Sequence, residues 1–220
     1  MTSVYVTSIQ SVDAKRLMEI LPFLDTRVRE KISRLKRKED QVRSVAAHAL
    51  MLMKIAEQVN MRIEDIHYTV NEYGKYGLAG NHLYFNLTHA GDYVACAISH
   101  RPVGIDLEEK RQRDFNLFMS VWSEQEKNQY DLCNLDSFYR LWTAKESYIK
   151  YLGIGLHARM NELTILPYGA VIVSERIVKA SIKNIPVHKD YTCAVCCEDK
   201  VEHIDVIEVD AIRTFYKRID

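Results

Sequence analysis

The order of apolar and polar positions predicts a first group of helices followed by short strands. Apolar residues recur at helical spacing between Asp13 and Val59, with Asp13 placed to cap the first helix and Val45–Val59 apolar enough to be buried. Segments with period-two alternation, separated by glycines, then predict antiparallel hairpins. These strand candidates are Ile66–Val70, His82–Leu87, Tyr93–Ile98 and Val103–Leu107.

The same order returns in the second part of the chain. Ser123 and Glu126 form a capping-box pattern that opens a helix toward Leu132, and Asp136 is placed to begin a longer helix that ends at Gly153. Further strands are predicted at Glu162–Leu166, Ala170–Val173, Tyr191–Cys197 and His203–Val209, before a short C-terminal helix. Helices followed by antiparallel strands, occurring twice, indicate an α+β fold class.

A strand and a helix carry the candidate chemistry. Alternation in the strand sends Asp106 and Glu108 to the same face of that strand. Helical spacing puts Glu146 and Lys150 one turn apart on the same face of the helix. Three carboxylates suit a hard cation such as Mg²⁺, which keeps other positions for water and substrate phosphate. Either segment alone is also an ordinary surface pattern, but their joint occurrence favours a metal–phosphate site.

Both segments also match the motifs of a known family. The sequence resembles the 4′-phosphopantetheinyl transferases of the longer, surfactin-synthetase-activating (Sfp) type. The matching segments are Gly104-x-Asp106-x-Glu108, Trp142-Thr143-x-Lys145-Glu146-Ser147-x-x-Lys150, Phe85-Asn86-Leu87-Thr88-His89, Gly74-Lys75, and Lys38-Glu39-Asp40 with Arg43-Ser44. Tyr76 stands where the family usually has proline, and the matches run from about residue 30 to Leu156.

The resemblance implies a fold and an activity. The fold would be two similar α+β halves related by a pseudo-twofold, with residues 1–101 contacting the donor nucleotide and phosphates and residues 102–220 carrying the metal-binding and catalytic groups. The enzyme would transfer the 4′-phosphopantetheine arm of coenzyme A to a serine of an apo acyl or peptidyl carrier protein. Adenosine 3′,5′-bisphosphate would be released, and the carrier would serve fatty acid, polyketide or nonribosomal peptide synthesis.

The resemblance also assigns roles to single residues. Asp106, Glu108 and Glu146 would hold Mg²⁺, with Mn²⁺ as an alternative ion. The catalytic set would be Glu146, Lys150 and His89, and the proton acceptor would be Glu146 or a metal-held water. The donor-binding set would be Lys31, Arg43, Ser44, Lys75, Thr88, His89 and Lys150.

Several of these side chains have ordinary alternatives. His89 is also suited to bond a backbone carbonyl, and Lys75 to stand in solvent as a turn lysine. Lys145, projecting about 100° from Glu146 on the helix, either supports the structure or reaches a phosphate from the side. Trp142 is expected in the core.

Charge argues against a general nucleic-acid binder, because 30 basic and 30 acidic residues cancel. A local excess of basic residues lies between Arg27 and Arg43 and is either a solvated helix face or a phosphate-attracting surface. Two alternative functions stay open. One is an enzyme, a Mg²⁺-dependent phosphohydrolase, and the other is a non-catalytic homologue that binds coenzyme A or a carrier.

The five cysteines do not form an even disulfide framework, which indicates a reducing compartment. Cys193 and Cys196 fall on opposite faces of a predicted strand, which disfavours a zinc site. No apolar run approaches a membrane span and the N-terminus lacks a signal-peptide layout, so a cytoplasmic monomer that binds no membrane is predicted.

Overall fold

The computed structural model describes residues 1–80, 83–155 and 158–219. Six helices are α1 Ala14–Met18, α2 Thr26–Ser33, α3 Lys38–Val59, α4 Glu124–Gln129, α5 Leu135–Leu152 and α6 Val209–Lys217 within these ranges. Short 3-10 helices lie at Leu21–Phe23, Ile63–Asp65, Phe115–Val121 and Met160–Glu162. The predicted strand start at His82 and the match end at Leu156 lie outside the described residues.

Three sheets accompany these helices in the described part of the chain. The strands are β1 Thr2–Ser8, β2 Tyr68–Val70, β3 Tyr76–Leu78, β4 Tyr84–Ala90, β5 Tyr93–Ser99, β6 Val103–Glu109, β7 Leu163–Ile165, β8 Ala170–Val173, β9 Arg176–Ile185, β10 Tyr191–Cys197 and β11 Val201–Val206. Their orders are β11-β1-β5-β4, β6-β10-β9-β8-β7, and the small hairpin β2-β3. No helix of the described ranges is long and apolar enough to cross a membrane.

The two larger sheets repeat one arrangement. In the first, β1 leads to the long helix α3 and then to the hairpin β4-β5, whose second strand pairs with β1. In the second, β6 leads to α5 and later to β9-β10, whose second strand pairs with β6. This shared order confirms the predicted α+β fold of two similar halves.

Apolar side chains at alternate positions of the strands form a core between the two halves. Val103, Ile105 and Leu107 of β6 join Val4 and Val6 of β1 in a core between the two sheets. Helices α3 and α5 cover the opposite sheet faces, each over its own core. Burial of these two faces of each sheet is the main source of stability.

Side chains of β4 also bind the backbone of β6 across the halves. Asn86 Oδ1 accepts the Ile105 N–H at 2.9 Å, and Thr88 Oγ1 accepts the Leu107 N–H at 3.2 Å. These contacts fix the position of the acidic strand β6 relative to the first half.

The C-terminal segment departs from the predicted division at residues 101 and 102. Strand β11 pairs in parallel with β1, and α6 packs on the first core through Ile212 and Tyr216. The Tyr216 hydroxyl donates to the Ala49 carbonyl of α3 at 3.1 Å. Residues 201–219 therefore pack with the first half, although they were predicted as part of the 102–220 half.

Element boundaries were predicted with mixed success. Asp13 caps α1, the Ser123–Glu126 capping box is present, and Gly153 ends α5, all as expected. The predicted start of α5 at Asp136 was wrong. The side chain of Asn134 caps this helix, because its Oδ1 accepts the N–H groups of Asp136 and Ser137, both at 3.0 Å. The run Val45–Val59, predicted as buried helix, lies within α3, which begins earlier, at Lys38, with a charged first turn.

The cysteine-rich strand is buried on both faces. Cys193 lies in the core between the sheets, and Cys196 lies in the core beneath α5. The predicted opposite orientation of these two side chains is confirmed.

Gly104 lies where α5 approaches β6 most closely. A Cβ at this position would overlap the Ser147 carbonyl oxygen and the Tyr151 nitrogen of the helix backbone. Because residues 104, 106 and 108 share one face of the strand, this approach brings Glu146 and Lys150 over Asp106 and Glu108.

We expect Gly104→Ala to lower stability, because the added methyl must push α5 away from β6. Overpacking of this kind costs about 1–3 kcal/mol. Urea unfolding measures the loss. The matched control is Gly77→Ala, whose Cβ would meet only the side-chain hydroxyl of Thr69 at 2.9 Å. Equal stability of Gly104→Ala and wild type would contradict the close approach.

Candidate active site

A cleft of about 530 Å³ lies between the two halves. The first half contributes Lys31, His48, Tyr73, Gly74, Lys75, Tyr76, Phe85, Asn86 and Leu87, and the second contributes Glu146, Ile149, Lys150, Gly153, Gly155, Ala158 and Met160. Its walls are largely apolar, and charged groups stand at a few positions. Such a cleft between two packed units is a usual place for a ligand.

Three carboxylates are brought together beside this cleft. Asp106 is only 5% exposed, and its Oδ1 lies 2.6 Å from Lys150 Nζ. Burial, followed by the negative charge of Asp106, raises the pKa of both Glu108 and Glu146. The three carboxylates therefore outnumber the two neighbouring cations, Lys150 and Arg113.

The second carboxylate oxygen of Asp106 is unpaired among the residues that the structure describes. Asp106 Oδ2 is buried and has no hydrogen-bond partner within the described ranges. A buried unpaired carboxylate oxygen is costly, and a hard cation would satisfy it. The chemistry of the three carboxylates thus fits a divalent metal ion.

The three carboxylates suit a metal ion chemically, but their side chains do not already form a metal-binding group. Across residues 1–80, 83–155 and 158–219, no three His, Cys, Asp or Glu side chains already form a metal-binding group. The Lys150 ammonium instead stands against Asp106. The assignment of Asp106, Glu108 and Glu146 as metal ligands stays a prediction.

Trp142 connects the site to the core of the second half. Its ring stacks on Phe138, with centroids 6.2 Å apart, while its Nε1–H donates to Glu108 Oε1 at 3.3 Å. Arg113 lies 4.0 Å from the other oxygen of Glu108. The expected core role of Trp142 is confirmed for its ring, and its N–H additionally orients Glu108.

Lys145 supports the structure. Its side chain is fully buried, lies 2.7 Å from Glu126 Oε2 and donates to the carbonyls of Val121, Met160 and Leu163. Glu126 also accepts the N–H groups of Ser123 and Ile165. This buried group ties α5 to α4 and β7 just beside Glu146, so Lys145 does not reach toward a phosphate.

His89, a residue of the first half, lies near Lys150. Burial and the charges of Arg43 and Lys150 lower the pKa of His89, which keeps its ring neutral near pH 7. Arg43 pairs with Asp40 and donates to the Gly91 carbonyl at 3.3 Å. Of the predicted residues, Arg43 and Lys150 therefore both lie near His89.

His48 was missed by sequence reasoning. It lines the cleft, and burial lowers its pKa to about 4. Its Nδ1 donates to the Ser44 carbonyl at 2.8 Å, so the other ring nitrogen is an acceptor. Position i+4 from Ser44 on the buried face of α3 was the available signal.

Two residues of the predicted donor-binding set bind backbone groups, and a third, Ser44, is buried. Ser44 is 7% exposed and Thr88 is 6% exposed, and the Thr88 hydroxyl binds the backbone of β6. The Lys75 ammonium donates to three backbone carbonyls instead of standing open to a phosphate. Lys31 differs, because it is exposed and lines the cleft.

Comparison with known proteins identifies the family. Residues 102–196 match a family model described as 4′-phosphopantetheinyl transferase superfamily, and residues 11–101 match one described as 4′-phosphopantetheinyl transferase, N-terminal. The 4′-phosphopantetheinyl transferase ffp of Bacillus subtilis is 31% identical over 207 residues, covering 88% of this chain and 91% of that protein. The 4′-phosphopantetheinyl transferase Sfp of Bacillus subtilis (strain 168) is 30% identical over 187 residues, covering 80% of this chain and 83% of that protein.

Other relatives match a shorter part of the chain. The L-aminoadipate-semialdehyde dehydrogenase-phosphopantetheinyl transferase of Xenopus laevis is 35% identical over 92 residues, covering 36% of this chain and 30% of that protein. The repeated α+β halves and these similarities together place the chain among enzymes that transfer phosphopantetheine. It belongs to the 4′-phosphopantetheinyl transferase superfamily and is of the Sfp type.

Proposed function

We propose that this enzyme transfers the 4′-phosphopantetheine arm of coenzyme A to a serine hydroxyl of an apo acyl or peptidyl carrier protein. The reaction would require Mg²⁺ and release adenosine 3′,5′-bisphosphate. The observation that carries the proposal is the group of Asp106, Glu108, Glu146 and Lys150 at a cleft between the two halves.

The cleft suits a donor with an apolar arm and several phosphates. Coenzyme A has a 3′-phosphate and a pyrophosphate, so its site needs cations at more than one point. Lys31 and Lys150 line the cleft, and His89 lies near both Arg43 and Lys150. We assign Arg43 and Lys31 to the nucleotide end and Lys150 to the phosphate that is transferred.

Asp106, Glu108 and Glu146 would hold the metal ion. Bound there, Mg²⁺ or Mn²⁺ would supply positive charge against the pyrophosphate oxygens. The raised pKa values of Glu108 and Glu146 and the unpartnered Asp106 oxygen support this assignment.

The bond changes place clear demands on the protein. A bond forms between the serine oxygen and the phosphorus of the arm. The bond from that phosphorus to the bridging pyrophosphate oxygen breaks, and this oxygen leaves with adenosine 3′,5′-bisphosphate. Lys150 would neutralise charge on the transferring phosphate, and Glu146 would accept the serine proton. Its raised pKa makes Glu146 a better proton acceptor than an ordinary glutamate. His89, which is neutral near pH 7, would donate a hydrogen bond to a phosphate of coenzyme A.

Intact-mass measurement of the carrier tests the proposal. A panel of apo acyl and peptidyl carriers is incubated with the enzyme, coenzyme A and Mg²⁺. We expect one carrier to gain the mass of one phosphopantetheine arm, with no gain in EDTA or when its serine is changed to alanine. Cleavage of coenzyme A without any carrier would instead show a phosphohydrolase.

We expect Arg43→Ala to weaken binding of coenzyme A, and to weaken binding of dephospho-coenzyme A much less, because the latter lacks the 3′-phosphate. A charge-assisted hydrogen bond of this kind contributes about 1.5–3 kcal/mol. Calorimetric titration of both ligands against wild type and Arg43→Ala gives the coupling energy. Arg62→Ala, which removes a surface pair with Asp65, is the control. Equal losses for both ligands would place the 3′-phosphate elsewhere.

A further inference from the structure

The turn between β2 and β3 faces the cleft on one side and the second half on the other. Tyr73 and Gly74 line the cleft. The neighbouring Lys75 ammonium donates to the carbonyls of Val103 at 3.0 Å, Lys150 at 2.5 Å and Tyr151 at 3.1 Å. All three acceptors belong to the second half, and they use all three donors of the ammonium group.

Two of these acceptors are carbonyls at the end of α5. The last four carbonyls of a helix have no partner within the helix. Gly153, with a positive φ of 71°, turns the chain and bonds the Ile149 carbonyl at 2.9 Å. Lys75 satisfies the next two carbonyls, and its positive charge is favourable at this end of the helix dipole.

Asn71 adds a second contact at the same helix end. Its Nδ2 donates to the Gly153 carbonyl at 3.0 Å. Its Oδ1 accepts the N–H groups of Tyr73 and Lys75 at 3.0 and 2.8 Å. One side chain therefore shapes the turn and fastens it to α5.

The third Lys75 acceptor lies on the acidic strand. Val103 directly precedes Gly104, where β6 and α5 approach most closely. A single ammonium from the first half thus binds both the strand that carries Asp106 and the helix that carries Lys150. The last turn of α5 contains Lys150, so any fraying of this turn moves that side chain.

We propose that Lys75 and Asn71 form a clamp that fixes the last turn of α5 against β6, and that Lys75 is a positioning residue for phosphopantetheine transfer rather than a phosphate ligand. The inference rests on the proposed function of Glu146 and Lys150. Burial lowers the pKa of Lys75 to about 8, as expected for a buried cation whose hydrogen bonds go to neutral carbonyls.

The variants Lys75→Met and Lys75→Arg separate the two roles. Methionine removes the charge and the donors. Arginine keeps the charge, but its planar guanidinium cannot direct three N–H groups from one nitrogen toward converging carbonyls. A clamp therefore predicts that both variants fail, whereas a phosphate ligand predicts that arginine restores function.

We expect kcat to fall between about 10-fold and 100-fold in both variants, because a small displacement of reacting groups has this effect. The KM for coenzyme A should stay within about twofold of wild type. Lys54→Met, a half-buried lysine of the first half that pairs with Glu57, should keep wild-type kcat. Wild-type kcat in Lys75→Arg, or a higher KM with unchanged kcat in Lys75→Met, would overturn the clamp.

A second variant covers the case in which the Lys75 variants unfold. Asn71→Asp keeps an oxygen that accepts the turn N–H groups, but it replaces the donor to the Gly153 carbonyl with an anionic oxygen that repels this carbonyl. At saturating coenzyme A its kcat should also fall, and an unchanged kcat would contradict the clamp. Failure of the wild type itself to modify any carrier would count against the proposed function instead.

Discussion

Replacing Asp106 with asparagine, or Glu146 with glutamine, will lower transfer to a carrier protein by about 100-fold or more while the protein stays folded. Each change keeps the shape of the side chain but removes an anionic oxygen from the proposed metal site. Losing one group that stabilises transition-state charge has effects of this size. Intact-mass kinetics at saturating Mg²⁺ measure the loss, and circular dichroism checks the fold. Near-wild-type turnover in both variants would reject the metal assignment.

The same Glu146→Gln variant should melt at a higher temperature than wild type when no metal is present. Burial and the charge of Asp106 raise the folded-state pKa of Glu146, so its ionised form opposes folding. The folded protein therefore keeps this proton to a higher pH than the unfolded chain does. Wild-type stability is lost as pH rises through that window, so the advantage of Glu146→Gln should grow with pH and vanish in acid.

Titration with Mg²⁺ completes this test. A ligand that binds only the folded state raises the melting temperature, so Mg²⁺ should stabilise wild type more than Glu146→Gln. Glu124→Gln, which changes an 85% exposed carboxylate on α4, is the control and should behave as wild type. A lower metal-free melting temperature in Glu146→Gln would show that its charge is favourable in the fold.

The largest expected loss of stability comes from the buried pair of Lys145 and Glu126. Lys145→Met should cost about 3–5 kcal/mol, because it leaves the Glu126 charge buried without its partner. Urea unfolding measures this cost. Lys127→Met on α4 breaks an exposed pair with Glu124 and should change stability by less than about 1 kcal/mol.

The double variant Lys145→Met with Glu126→Leu gives the sharper comparison. Replacing both charges by apolar groups removes the unpaired carboxylate, so part of the loss should be recovered. A double variant less stable than Lys145→Met alone would mean that the bonds of Glu126 to Ser123 and Ile165 matter more than its charge.

Local patterns predicted much of the site because its geometry depends on short-range rules. The period of two placed Asp106 and Glu108 on one face of β6, and helical spacing placed Glu146 and Lys150 together on α5. The capping rules located Asp13, Ser123 and Gly153 for the same reason. None of these rules reports how two elements approach each other, so the role of Gly104 needed the structure.

The missed strands and side-chain roles depend on contacts between distant parts of the chain. Strand β1 is buried on both faces, including Thr2 and Thr7, so it lacks a clear alternation. Strand β9 was also missed, although Val178, Ala180 and Ile182 alternate there with exposed residues at period two. Thr88 and Lys75 look like ligand-binding residues in their motifs, but their partners are backbone groups of the other half.

The return of β11 and α6 to the first half has a consequence for the order in which the molecule is built. Ribosomes deliver β1, α3, β4 and β5 first, yet one edge of that sheet and one side of α3 are covered only by residues 201–219. The part of the protein that is made earliest is thus completed last. Until then, the nascent chain exposes an open strand edge and the apolar surface that Ile212 and Tyr216 later fill.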